Sequence, residues 1–173
     1  MDILWTPWRI EYILSAKQPG CVLCEKVHAD PAKDPENLLL YRGQHCFIIM
    51  NLYPYNTGHL MVVPYLHTSD LVGLEPETMT ELADLTRRSV ALLKATLKPD
   101  GFNLGMNLGR VAGAGIDDHL HQHIVPRWGG DTNFMPVLAD THTMPELLPD
   151  TFAKLKARVA EFLPPLAKDE QKR

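Results

Sequence analysis

The spacing of apolar and polar residues changes several times along the chain, and each change marks an element. Leu38–Arg42 and Cys46–Met50 are short apolar runs divided by Gly43-Gln44, the composition of a hairpin. Tyr53-Pro54-Tyr55-Asn56-Thr57-Gly58 is a turn cluster, and Leu60–Val63 after it reads as a third strand. Pro76 suits a first helical position. Beyond it Met79, Leu82, Ala83, Val90, Leu93 and Leu97 recur at near-helical spacing until Pro99-Asp100-Gly101 stops the run. Phe102, Leu104, Met106 and Leu108 then alternate with Asn103, Gly105 and Asn107, which predicts a strand with one buried and one polar face. Residues 109–115 are a Gly-rich loop, and His121–Val125 reads as a fifth strand. Phe152, Leu155, Val159 and Phe162 mark a second helix, ended by Pro164-Pro165. This order predicts an α+β domain with a mostly antiparallel five-stranded sheet and two main helices.

The flanks read differently. Residues 1–20 carry Trp5, Trp8 and Tyr12 and then Gln18-Pro19-Gly20, an arm suited to packing on another surface such as a partner subunit. Residues 28–37 hold prolines and many charges and should be a loop. The expected division is an N-terminal arm at 1–20, a catalytic domain at 21–135 and a C-terminal helical extension at 136–173. A chain of 173 residues with 45% apolar and 22% charged residues is long enough and apolar enough for one real core. A formal charge of −4 without a basic block argues against a nucleic-acid partner, yet leaves room for a small anionic ligand. No apolar run nears the ~20 residues of a membrane span, and the N-terminus lacks a signal-peptide pattern, so the cytoplasm is the expected location. The three cysteines do not form an even disulfide framework. Cys46 sits in an apolar strand and should be buried as a small hydrophobe, whereas Cys21-Val22-Leu23-Cys24 has the spacing of metal or redox chemistry.

The sharpest chemical signal is His119-Leu120-His121-Gln122-His123. On an extended strand the three imidazoles share one face, and Gln122 points to the other, where it would be structural. Imidazole attacks phosphorus directly and leaves well afterwards, which suits a two-step transfer. A neighbouring imidazole can donate to a phosphate oxygen or to the leaving group. Satisfied core histidines and a three-histidine zinc site are the competing readings. Adjacent side chains on one strand converge poorly on a single ion, however. Gly109-Arg110-Val111-Ala112-Gly113-Ala114-Gly115 could bring backbone N–H groups close to an anion, and Asn107 could reach a phosphate or a ribose. Trp128 could stack on an adenine or simply pack.

Taken together, these residues resemble the histidine-triad (HIT) superfamily of nucleotide hydrolases and transferases. The resemblance covers roughly 20–130 and includes Asn51-Leu52-Tyr53-Pro54-Tyr55-Asn56-Thr57-Gly58-His59 as well as the triad. Leu4-Trp5-Thr6-Pro7-Trp8-Arg9 and Pro126-Arg127-Trp128-Gly129-Gly130-Asp131-Thr132-Asn133-Phe134 resemble the branch that phosphorolyses diadenosine tetraphosphate. The resemblance implies a HIT-like fold and a homodimer. It implies that His121 attacks the α-phosphate, that His123 contacts phosphate oxygens and that His59 lies behind the triad and orients it. It also implies ribose binding by Asn51 and phosphate binding by Asn107. Many relatives carry a Gly-Gln-Ser-Val segment before the triad. Here Gly115 and Ile116 stand in its place, so their backbone N–H groups would have to serve instead of the serine hydroxyl. In some bacterial members a cysteine pair, a later histidine and the first triad histidine bind zinc, which implies Cys21, Cys24, His67 and His119 as a structural site. The expected function is cleavage of dinucleoside polyphosphates through a nucleotidyl-histidine intermediate, phosphate being preferred as acceptor and Mg²⁺ entering only with the substrate. A hydrolase, a phosphoramidase and a non-catalytic nucleotide-binding regulator are the alternatives.

Overall fold

The computed structural model describes residues 20–131 and 144–163. The aromatic arm with Trp5 and Trp8, and the segment Thr132-Asn133-Phe134, lie outside the described residues. In chain order the elements are α1 (Val22–His28), β1 (Leu39–Arg42), β2 (Cys46–Met50), β3 (Leu60–Pro64), α2 (Pro76–Leu97), β4 (Gly101–Gly105), β5 (Gln122–Arg127) and α3 (Leu148–Phe162). The strands form one sheet in the order β1-β2-β3-β5-β4, every pair antiparallel. The expected α+β architecture is therefore present.

Alternation along the strands divides the core in two. Leu40, Ile48, Met50, Leu60, Val62 and Ile124 face one side, against Leu82, Leu85, Leu92 and Leu93 of α2 and Phe152, Leu155 and Val159 of α3. Burying each such side chain contributes about 1.5–3 kcal/mol. Cys46 lies in this layer with no exposure, as its apolar context predicted. Leu39, Phe47, Ile49, Met61 and Val63 face the other side, against Leu23 and Val27 of α1. Because His59 and His123 alternate with Leu60 and Ile124, the histidines share the α1 face and leave the long helices behind them.

Polar anchors fix these layers. The Glu81 carboxylate of α2 accepts the backbone N–H groups of Gln44, His45 and Cys46, clamping the β1–β2 turn onto the helix. Gly58 has φ +76°, and a Cβ there would lie 2.5 Å from Leu97 Cδ1, so the turn entering β3 passes under the end of α2 only as glycine. Helix α2 begins at Pro76 and ends at Leu97, with Lys98 left-handed (φ 51°) before Pro99. Pro126 is tolerated in β5 because its partner β3 ends its pairing at Ile124, and the Pro126 carbonyl takes the Asn56 amide instead.

Three features differ from the pattern-based expectation. Helix α1 was not foreseen, since a seven-residue helix with only Leu23 and Val27 buried gives too short a periodic signal. Strand β4 ends at Gly105 rather than running on to Leu108, and Leu104 is 52% exposed. Its alternation predicted a buried face; Phe102 and Met106 do pack against the main core, but β4 is an edge strand and leaves Leu104 open to solvent. The fifth strand starts at Gln122 and extends to Arg127, so His121 stands just before the regular ladder.

Candidate active site

His59, at the head of β3, is fully buried, and its Nδ1 accepts the Tyr55 backbone N–H at 3.1 Å. That bond leaves the ring proton on Nε2, which donates to His123 Nδ1 at 3.0 Å. His123 must then carry its own proton on Nε2, and that buried atom has no hydrogen-bond partner among the described residues. A chain of three donors thus ends in one N–H with nothing to bind. Burial pushes the His123 ring down to about 4, helped by His121, and pushes His59 down to about 3, helped by His123 and His121. Both rings are therefore neutral near pH 7.

His121 is oriented from its own strand. Its Nδ1–H donates to the His119 carbonyl at 2.8 Å, so Nε2 carries the free lone pair. The His121 and His123 rings meet edge to face with centroids 4.8 Å apart. The arrangement sets an unprotonated nitrogen beside an unpaired N–H donor, which is what attack on a phosphate ester needs.

His119 belongs to another cluster. Its Nε2–H donates to the Pro64 carbonyl at 2.9 Å, which turns Nδ1 toward Cys21 Sγ at 3.2 Å and Cys24 Sγ at 3.5 Å. His67 Nδ1 lies 3.4 Å from Cys24 Sγ, and its Nε2 lies 3.7 Å from Asp118. The four ligand atoms of Cys21, Cys24, His67 and His119 all fall within 4.8 Å of one another. A tetrahedral zinc ion with ordinary bond lengths separates sulfur and nitrogen ligands by about 3.5 Å, so the set fits that ion. The bond from His119 Nε2–H to the Pro64 carbonyl is of the kind that fixes a ligating histidine. Burial raises the Cys24 thiol to about 11, with Cys21 and Asp118 adding to the effect, so Cys24 needs a cation to ionise at neutral pH.

The other expected site residues divide between the cluster and elsewhere. Asn107, Ile116 and His119 line one cleft together with Ser69, Leu108, Gly109, Asp117 and Leu120, and Gly115 directly precedes Ile116. Asn51 Oδ1 accepts the Tyr53 N–H at 3.0 Å and its amide lies 3.4 Å from His59 Nδ1, which places it beside the histidine pair. Gln122 lies on the helix side with Ile124, opposite the triad, and its amide donates to the His123 carbonyl. Trp128 does not join the cluster. An extended strand carries it about 20 Å from His121 within this chain, and its backbone is tied to Asp131 at the opposite end of β5. Two residues escaped the sequence reading. Tyr55, whose ring lies 4.8 Å from that of His59 and 5.7 Å from that of His123, could have been suspected as an aromatic near His59. Ser69 carries no local signal; the Leu120 N–H bond to the Thr68 carbonyl brings its loop to the triad.

Three alternating histidines, His119, His121 and His123, at the head of one strand of an antiparallel sheet and backed by His59 are the pattern of a histidine-triad protein. Residues 33–130 match the HIT domain, and the chain belongs to that family. It is 41% identical over 154 residues to a protein named AP-4-A phosphorylase from Mycobacterium tuberculosis, covering 86% of this chain and 79% of the relative. It is 33% identical over 114 residues to adenylylsulfatase HINT3 of Arabidopsis thaliana, covering 65% and 55% of the two chains. Its fold is similar to that of a Zn-bound histidine triad family protein from Mycobacterium smegmatis, with a TM-score of 0.64, 26% identity and coverage of 82% and 94%.

Proposed function

We propose that this chain is a nucleotidyl transferase that cleaves dinucleoside polyphosphates, diadenosine tetraphosphate foremost, with phosphate as the preferred acceptor. The observation that carries the reading is the His121 Nδ1–H bond to the His119 carbonyl, which frees Nε2 for attack. The likeness to AP-4-A phosphorylase over most of both chains supports the substrate class.

In the first step Nε2 bonds to the α-phosphorus, the bond to the bridging oxygen breaks, and ATP leaves with the electron pair. Positive charge grows on the imidazole and strengthens its Nδ1–H bond to the carbonyl, while His123 Nε2–H meets the increasingly negative phosphoryl oxygen. In the second step a phosphate oxygen attacks the same phosphorus, the P–N bond breaks, and ADP leaves with His121 neutral again. Water in place of phosphate would release AMP. Asn107 and the N–H groups of Gly115 and Ile116 are assigned to the phosphates, and Asn51 to the ribose.

Zinc is assigned to Cys21, Cys24, His67 and His119. When bound it supplies a cross-link that holds α1 to the histidine strand, and Mg²⁺ enters only with the polyphosphate. A cytoplasmic homodimer completes the reading. Free cysteines and the exposed Leu104 and Leu108 beside edge strand β4 support it. Among the described residues no helix is long and apolar enough to cross a membrane.

The test is product identity. Diadenosine tetraphosphate should yield ADP and ATP only with added phosphate, and His121→Ala should abolish turnover while nucleotide still binds. Turnover retained by that variant would overturn the assignment.

A further inference from the structure

The histidines leave a problem of charge. By their hydrogen bonds His59 and His123 hold one proton each, and His121 must be unprotonated at Nε2 to attack. The group therefore offers donors to a polyphosphate but no net positive charge. A chain of several phosphates loses much of its hydration on entering a cleft, and a cationic side chain there offsets part of that cost beyond what an accompanying Mg²⁺ supplies. Between β4 and β5, residues 106–121 contain one arginine, Arg110, and no lysine. Elsewhere, Lys26 donates to the Asn37 carbonyl, and Arg127 is held by Asp131 and Asn103 at the far end of β5.

Arg110 follows Gly109, which lines the cleft with Asn107, Ile116, Asp117 and His119. Its side chain is 76% exposed, and its Nε lies 3.5 Å from Asp117 Oδ2. That separation is long for a charge-assisted hydrogen bond, which closes to about 2.7–2.9 Å. With the guanidinium in solvent and this separation, the pair contributes about 1 kcal/mol, so the guanidinium is readily exchanged to another anion. His119 and Leu120, which precede His121 in the chain, also line this cleft.

We propose that Arg110 and the cleft beside it form a second phosphate subsite, in which the guanidinium leaves Asp117 and pairs with the phosphates beyond the one His121 attacks. The inference rests on the reading of the site as one for nucleoside polyphosphates. Asp117, which lines the cleft, then acts as a stand-in anion that holds Arg110 beside it until the ligand arrives. Such a subsite distinguishes ligands by phosphate number: it rewards a triphosphate or longer chain and ignores a monophosphate.

The experiment is calorimetric titration of ATP and of AMP into the wild-type protein and into Arg110→Gln, Arg110→Lys and Asp117→Asn. Arg110→Gln should weaken ATP binding roughly tenfold, the value of one charged hydrogen-bonded contact, and should cut the preference for ATP over AMP by the same factor. Arg110→Lys should recover part of the loss, and Asp117→Asn should tighten ATP binding. The inference is overturned if Arg110→Gln leaves ATP affinity unchanged or lowers AMP affinity equally. It is also overturned if Asp117→Asn weakens ATP as Arg110→Gln does, because the pair would then be only a tie within the loop. These titrations need no turnover. Failure of the wild-type protein to cleave diadenosine tetraphosphate would refute the proposed activity and leave the ATP comparison to decide the subsite.

Discussion

His59 contributes a hydrogen bond rather than a reacting atom. In the proposed mechanism, by fixing the proton of His123 on Nε2 it makes that ring a donor toward the phosphate, so its removal should lower kcat and leave KM nearly unchanged. His59→Asn is expected to cost roughly a hundredfold in kcat, whereas His59→Gln, whose longer amide can still donate to His123, should retain most of the rate. Equal losses in the two variants, both folded by circular dichroism, would mean that His59 serves packing alone. The neutral rings also predict a pH dependence of stability. The folded-state value of His123 is depressed to about 4, against 6.5 for the ordinary ring. The unfolded chain therefore binds more protons in between, and stability present above pH 6.5 is lost as pH falls toward 4. The contribution is of the order of 3 kcal/mol. Urea unfolding between pH 7 and 4.5 should show a shallower decline in His123→Asn than in the wild-type protein.

At the level of elements, two tethers carry the arrangement. Glu81 satisfies three backbone N–H groups of the β1–β2 turn from across the sheet–helix boundary. Glu81→Ala leaves those donors without their charged acceptor and should destabilise the fold by about 3 kcal/mol, measured by urea titration. The other tether is the Cys–His cluster, which joins α1, the loop after β3 and the approach to β5. One zinc ion per chain is expected by atomic absorption, and Cys24→Ser should abolish it. Loss of the ion should lower the thermal midpoint and expose α1 to protease, while the His121 bond to the His119 carbonyl loosens and kcat falls. The elements also show why some of the fold was legible and some was not. Helix α2 repeats its apolar face over 22 residues and has Pro76 at its start, so its limits followed from spacing. Helix α1 is short, and it is held by cysteine and leucine contacts that no local pattern announces.

For the whole molecule, β4 is one of the two edge strands of the sheet, and Leu104 on it and Leu108 in the loop after it are open to solvent. If that edge is where two copies meet, Leu104→Glu should convert a dimer to a monomer in light scattering. Dimerisation unaffected by that charge would move the interface elsewhere.

The sequence by itself determined the strand alternation, the long helix and the shared face of His119, His121 and His123, because period-two and near-helical spacing are local properties of a backbone. It also singled out Cys21 and Cys24. Only tertiary structure divided the three histidines. His119 turns to the cysteines, His121 to its own strand's carbonyl and His123 to His59, since each ring's proton is set by a partner that proximity supplies. Likewise, Trp128 looked close to the triad in the chain, but an extended strand turns seven residues into distance. Arg110 was an unremarked residue of a Gly-rich loop until folding placed it beside Asp117 and the cleft. Spacing fixes which face a side chain takes; which groups meet there, and in which protonation state, depends on contacts between segments far apart in the chain.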